Sequence, residues 1–175
     1  MNRFFTLLLA ASCLTAVGQE QSIFLDGEND YINVFIPVES NDFSFSVEVK
    51  MTELPSSGVY IIDTRLDDQK GYYMWIRPDG LTDFGWENGQ DNFNFVQVSL
   101  ADVDWFNSWQ EITIVQTGSA LSLFVEGELK AELEGYLDAI ASRDRIILGR
   151  RNNGPGHDFH GLMDNVFVGS GTLSI

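Results

Sequence analysis

The sequence predicts an all-β fold, a sandwich or a barrel, and three observations carry that expectation. Apolar residues recur with period two through nearly the whole chain, turn-forming dipeptides punctuate the runs, and no long segment keeps helical spacing. In NDFSFSVEVKM, Phe43, Phe45, Val47, Val49 and Met51 alternate with Ser44, Ser46, Glu48 and Lys50. Successive side chains of a strand point to opposite faces, so this is a strand with one buried face. A chain of 175 residues with 44% hydrophobic and 13% aromatic content can fill one core, and one domain is expected.

At the N-terminus, MNRFFTLLLAASCLTAVGQEQ places Arg3 before an apolar run that closes on Ala16-Val17-Gly18, small residues at the positions a signal peptidase reads. Residues 1–18 are expected to be a cleaved secretory signal, and residues 19–175 the folded domain of a secreted or cell-surface protein. The run falls well short of the roughly 20 residues that span a bilayer, so no transmembrane segment is expected. The variant reading is a lipoprotein anchor at Cys13, although Ala10 stands where such boxes usually carry Leu. Cys13 is the only cysteine, so the mature chain is expected to lack disulfides and to depend on its core or a metal.

Alternating runs then follow one another: SIFL, YINVFI, NDFSFSVEVKM, GVYIID, GYYMWIR, NFVQVSL, QEITIVQT, LSLFVEG, RIILGR and MDNVFVG. Between them lie Asp26-Gly27, Ser57-Gly58, Asp79-Gly80, Asn88-Gly89, Thr117-Gly118 and Asn153-Gly154, turn signals that fit about ten short strands. LDAIASRDR, 137 to 145, is expected to be a loop. LSLFVEGELKAEL sets Glu126, Glu128 and Glu132 within seven residues, and clustered carboxylates are how glycoside hydrolases cleave sugars. Gly127 sits mid-segment while Leu121, Leu123 and Val125 keep strand period, so the stretch predicts a hairpin reversing at Glu126-Gly127. The reversal separates the acids rather than lining them along one face.

Loss of residues 1–18 removes one arginine and no acid, taking the formal net charge from −16 to −17. Nucleic acid is excluded as a partner, since its binding needs basic patches that neutralise phosphates.

FLDGENDYINV, NSWQEITIV, LSLFVEGELKAEL and RIILGRRNNGPGHDFHGLMDNVFVG together resemble the laminin G-like members of the concanavalin A-like lectin/glucanase superfamily. There an LDG-x-x-DY segment opens the domain, a W-H-H-V-A-V-type strand leads into an L-x-L-Y-V-D-G hairpin, and an F-x-G-x-I-D-E-V-R strand closes it. The four motifs run in the family's order over essentially the whole mature chain. The resemblance implies a jelly-roll sandwich of two antiparallel sheets with first and last strands adjacent. Trp109 matches the family tryptophan and is expected in the core, but Gln110-Glu111 replaces the usual His pair. Family 16 glycoside hydrolases of the same superfamily carry Glu-x-Asp-x-x-Glu on one strand, a segment missing here, and neither histidine, His157 nor His160, has a nucleophile signature near it. The expectation is no enzyme but a carbohydrate-binding or adhesion module for a glycan or an extracellular protein. The alternatives are a glycan-active hydrolase or lyase of the superfamily, and a structural interaction domain that oligomerises as pentraxins do.

Sugar recognition needs flat aromatic faces with polar groups at the rim. In GYYMWIRPDG the alternation puts Tyr72, Met74 and Ile76 on one face and Tyr73, Trp75 and Arg77 on the other. With the first set in the core, Tyr73, Trp75 and Arg77 form an exposed platform; the competing reading has Trp75 covering the core. Phe84 and Trp86 are expected to be buried. Trp105, in the loop-like DVDWFNSW, joins the ligand-binding candidates, as do Arg150, Asn152 and His157 of RRNNGPGHDFH. DTRLDDQ, with Asp63, Asp67 and Asp68, reads as a solvated turn or a set of calcium ligands. A structural calcium ion is expected where Asp26 and Asp30 of FLDGENDY meet Asp164 of HGLMDNVFV, and related superfamily members raise that expectation. The competing reading has Asp26 capping its turn and Asp164 accepting backbone hydrogen bonds.

Overall fold

Period-two alternation requires each strand to bury one face, and two sheets stacked core to core satisfy that for every strand at once. A computed structural model describes residues 4–7, 22–35, 42–54, 56–65, 70–88, 93–99, 103–134, 145–152 and 156–170. Seven strands form one sheet in the order β1 (Phe4–Leu7), β3 (Tyr31–Phe35), β12 (Arg145–Leu148), β5 (Val59–Asp63), β6 (Lys70–Ile76), β7 (Leu81–Asn88) and β8 (Phe93–Ser99). Six form the other, in the order β11 (Glu128–Glu134), β10 (Ala120–Val125), β9 (Gln110–Thr117), β4 (Phe43–Glu53), β13 (His160–Ser170) and β2 (Ile23–Asp26). All pairings are antiparallel except that of β1 with β3. The molecule is the jelly-roll sandwich that the resemblance implied, and no helix occurs among the described residues.

One core lies between the sheets. Phe45, Val47, Ile112, Ile114, Leu121, Leu123 and Met163 enter it from the six-stranded side. Ile32, Val34, Tyr72, Met74, Ile76, Phe84, Ile146 and Leu148 enter it from the other. Phe84 and Trp86 are buried as expected. Thr82 to Asn88 of the run TDFGWENG, outside the alternating set of the sequence, belong to the strand β7.

The first strand of the six-stranded sheet and the last do lie side by side, with Leu25 opposite Gly161 and Phe24 opposite Leu162. The β10–β11 hairpin reverses where Gly127 allows it. Val125 pairs with Glu128, while Glu126 and Gly127 both take positive φ, at 52° and 72°, the geometry of a type I′ turn. Its carboxylates go to separate partners: Glu126 accepts from the Glu111 amide, Glu128 pairs with Lys130, and Glu132 accepts from Ser122. Most of the expected loop at 137–145 lies outside the described residues, as do Gly89 and the Asn153-Gly154 turn.

Candidate functional site

The outer face of the seven-stranded sheet gathers most of the chemistry-bearing side chains. On β6, Tyr72, Met74 and Ile76 enter the core, so Tyr73 and Trp75, with Arg77 just past the strand, take the opposite face. Register sets Tyr60 beside Trp75 with Asp83 beyond, and Asp63 beside Tyr73 with Gly85 beyond. An irregularity in β5 between Tyr60 and Ile62 sends both Ile61 and Ile62 into the core and leaves Tyr60 and Asp63 for the outer face. The doubled Ile61-Ile62 in GVYIID, a break in alternation, is the sequence signal for it.

Tyr60 and Trp75 stack with ring centroids 5.8 Å apart and planes 11° from parallel, and Tyr73 tilts beside Tyr60 at 6.1 Å. Gly58 permits the close approach of the indole. A Cβ at that position would stand 2.7 Å from Trp75 Nε1 and 2.5 Å from the Ile76 carbonyl, and its φ of +73° disfavours any other residue.

Arg65 lies across this floor. Its Nε donates to Asp63 Oδ1 at 2.8 Å, Nη2 to Asp63 Oδ2 at 2.9 Å, and Nη1 to Glu87 Oε2 at 2.9 Å. The guanidinium carbon stands 4.2 Å from the Tyr73 ring centroid and 5.2 Å from that of Tyr60, within cation–π range. All three charged groups are buried. Burial works against the Arg65 charge, but its hydrogen bond and attraction to Asp63 outweigh that cost and hold the proton more tightly than in water. Burial likewise pushes the Tyr73 hydroxyl up, against an opposing pull from Arg65.

The segment after β12 closes one side. The Asn152 amide donates to Asp63 Oδ2 at 3.1 Å, its Nδ2 donates to the Arg65 carbonyl, and its Oδ1 accepts from Arg145 at 3.3 Å. His157 sits edge-on to both Tyr60 and Trp75, at 5.8 and 5.9 Å. Its carbonyl accepts from the Tyr60 amide at 3.0 Å, and its Nδ1 lies 2.6 Å from the Ser57 carbonyl. Arg150 faces Asp158 at 3.6 Å and Tyr31 at 5.4 Å. Burial raises the Asp158 carboxyl above the usual range while Arg150 opposes the shift.

Five of the seven ligand-binding candidates thus come together: Tyr73, Trp75, Arg77, Asn152 and His157. Arg150 stands apart, against Tyr31 and Asp158, and four corrections concern the sequence reading. Tyr73 is no exposed platform residue, being 6% exposed beneath Arg65; Trp75 and Arg77 are half-buried. Trp105 is 2% exposed and part of the core, because its carbonyl bonds the Met51 amide and draws the loop over the sandwich. Trp109 is 36% exposed rather than core, sharing parity with the exposed Glu111 while Ile112 and Ile114 point inward. Asp63 lies in no solvated turn but is fully buried; Asp67 and Asp68 lie outside the described residues. Tyr60, Arg65, Asp83 and Glu87 were not foreseen as members.

The three aspartates of the calcium expectation are not brought together. Register places Asp26 opposite His160, so Asp164 lies four residues further along β13, about 13 Å away at strand rise. Asp26 accepts from the Glu28 amide and Asp164 from that of Asn165, while Asp30 Oδ2 lies 3.4 Å from the Asp26 amide. Among the described residues no group of three or more His, Cys, Asp or Glu is arranged to hold a metal.

A laminin G family model of the concanavalin A-like lectin/glucanases superfamily matches residues 23–174. The chain belongs to that superfamily. No curated protein matches the sequence. Among solved structures, the ligand-binding domain of botulinum neurotoxin serotype D in complex with N-acetylneuraminic acid superposes with a TM-score of 0.66 at 17% identity, over 86% of this chain and 39% of that one. The receptor-binding domain of the same toxin gives 0.67 at 17% identity, over 89% and 44%. Domain 4 of AbnA, a GH43 extracellular arabinanase from Geobacillus stearothermophilus in complex with arabinotriose, gives 0.64 at 18% identity, over 91% and 75%. The chain spans about two fifths of the length of the toxin structures, and at these identities the likeness is one of fold.

Proposed function

We propose that this superfamily member is a secreted, non-catalytic carbohydrate-binding module that holds a neutral sugar ring against Trp75 on the outer face of the seven-stranded sheet. The observation that carries the reading is the partly exposed Trp75 indole, braced from one side by Tyr60 and flanked by His157, Arg77 and Asp83. An indole face takes the apolar side of a pyranose or furanose ring, and the flanking groups supply donors and acceptors for its hydroxyls. Superposable domains carry N-acetylneuraminic acid and arabinotriose, which supports glycan as the ligand class. The partner is a glycan, free or displayed on an extracellular protein, and the N-terminal segment is read as an export signal whose cleavage would remove β1 from the mature chain.

A non-catalytic role is supported by the state of two of the buried carboxylates, Asp63 and Glu87. Glycoside hydrolysis needs one carboxyl group that carries a proton and another free to attack or to activate water. Asp63 and Glu87 are instead both acceptors for a single guanidinium.

A glycan array probed with the mature protein tests the binding reading. Wild type should bind neutral oligosaccharides, and Trp75→Ala should lose that binding while costing only about 1 kcal/mol of stability, the scale of one aromatic pair. Retained binding in the variant overturns the site, and a loss of several kcal/mol would show the indole to be core instead. Incubation with β-glucans and arabinans should release no new reducing ends; product that disappears in Asp83→Asn would establish an enzyme. N-terminal sequencing of exported protein should begin at Gln19.

A further inference from the structure

His157 is held in an unusual way. Its φ is +61°, in the left-handed region that side chains seldom enter. The ring stands edge-on to Tyr60 and Trp75 together, and the backbone carbonyl is bonded by Tyr60. Nδ1 lies 2.6 Å from the Ser57 carbonyl. A carbonyl oxygen can only accept, so Nδ1 must carry the hydrogen. The neutral ring therefore has its other nitrogen, Nε2, bare of hydrogen, and no hydrogen bond joins Nε2 to a described residue. One ring nitrogen is anchored to the protein and the other is left as an acceptor beside the half-buried indole.

We infer that His157 is a specificity-determining contact of the glycan site, its Nε2 accepting a hydrogen bond from a ring hydroxyl of a neutral sugar stacked on Trp75. The inference rests on the functional reading above and narrows it. The Ser57 carbonyl fixes which nitrogen is the acceptor, as second partners of histidine commonly do. The aromatic pair fixes the ring plane, and the left-handed backbone aims the side chain across both rings rather than away from them. A ligand that presents a hydroxyl donor at that point is favoured over one that presents only acceptors, such as a carboxylate. Strain of this kind persists where surrounding structure over-determines it, and it concentrates at binding sites.

Two substitutions separate the anchor from the ligand contact. In His157→Asn the side-chain amide reaches only as far as Nδ1 did, so it can still donate to Ser57, and Asn tolerates the left-handed region. In His157→Gln the head group reaches to where Nε2 was. Each would be screened by an array of neutral oligosaccharides that includes arabinotriose, with affinity then measured by calorimetry for the tightest of them. The expected result is a His157→Asn protein that melts with the wild type yet binds about tenfold more weakly, with His157→Gln recovering part of the loss. Wild-type affinity in a folded His157→Asn variant overturns the inference while leaving the glycan reading intact. A wild-type protein that binds nothing on the array overturns both. Nitrogen-15 NMR of the unliganded wild type gives a check independent of any sugar and of either variant's fold: a ring protonated at Nε2 and bare at Nδ1 overturns the inference outright.

Discussion

The two sheets bury the same kind of core but present opposite kinds of outer surface. On the six-stranded sheet, the residues of β4 that alternate with the core are Ser44, Ser46, Glu48 and Lys50, and register sets Thr113 beside Ser46 and Glu111 beside Glu48. Of these Ser44, Ser46 and Thr113 are small and buried while Glu111 is exposed, and the same sheet also exposes the rings of Phe24 and Phe167. The corresponding positions of β5, β6 and β7 hold Tyr60, Asp63, Tyr73, Trp75, Asp83 and Glu87, and Arg65 ties two of the carboxylates over two of the rings. A surface needed only for solubility does not bury an arginine and two carboxylates, because removing charge from water costs several kcal/mol per ion before pairing repays it. That ionic and aromatic cover is what sets apart the face on which the glycan site is proposed.

The largest way to break that contrast is at its ionic centre. Arg65→Ala leaves Asp63 and Glu87 buried without a cation, and about 3–5 kcal/mol of stability should be lost. Lys130→Ala, which removes a 2.8 Å pair with the exposed Glu128 on the other sheet, should cost under about 1 kcal/mol. Urea unfolding of both variants makes the comparison, and equal losses would abolish the distinction between the faces. Next in size is an effect on affinity: Phe167→Ser alters an exposed ring of β13 on the six-stranded sheet, and calorimetry should show glycan binding unchanged where Trp75→Ala removes it.

The smallest effect is on pH dependence. The folded Asp158 carboxyl titrates above the ordinary range because burial disfavours its charge, with Arg150 opposing. The folded state then holds that proton more tightly than the unfolded chain does. Its contribution is greatest below the unfolded value of about 4 and declines as pH rises towards the raised folded one. Asp158→Asn should flatten that part of the stability profile, and a decline of unchanged slope in the variant would assign it to another group.

How far the sequence reveals these faces depends on the distance over which each residue's surroundings are set. The face assignments of Phe43 to Met51 and of Tyr72 to Ile76 follow from neighbours one or two residues away, and alternation reads them directly. The cover over Tyr73 could not be read so. Arg65 reaches Glu87 across 22 residues and is gripped by Asn152 across 87, and no local pattern encodes either contact. Asp63 looked like part of a solvated acidic loop because Asp67 and Asp68 follow it, whereas its partners are an arginine two residues on and a backbone amide 89 residues away. Trp105 and Trp109 exchange roles for a more legible reason: strand parity counted backward from Ile112 places Trp109 outside, whereas the motif resemblance places it in the core. Trp75, Arg77 and His157 were visible as candidates, but the ring stack that unites them depends on the Tyr60–Trp75 register.

β13 takes an interior place in its sheet, hydrogen-bonded to β4 on one side and to β2 on the other. Phe45, paired with Ile114 on one side, therefore waits for Val168, more than a hundred residues later, before its neighbour on the other side exists. Until β13 is available, β2 has no partner in the sheet and β4 has an open edge, so the sandwich cannot close in stages from the N-terminal end. A topology dominated by such distant pairings belongs with proteins that fold in milliseconds to seconds rather than microseconds. The six-stranded sheet is thus completed only once β13 has been made.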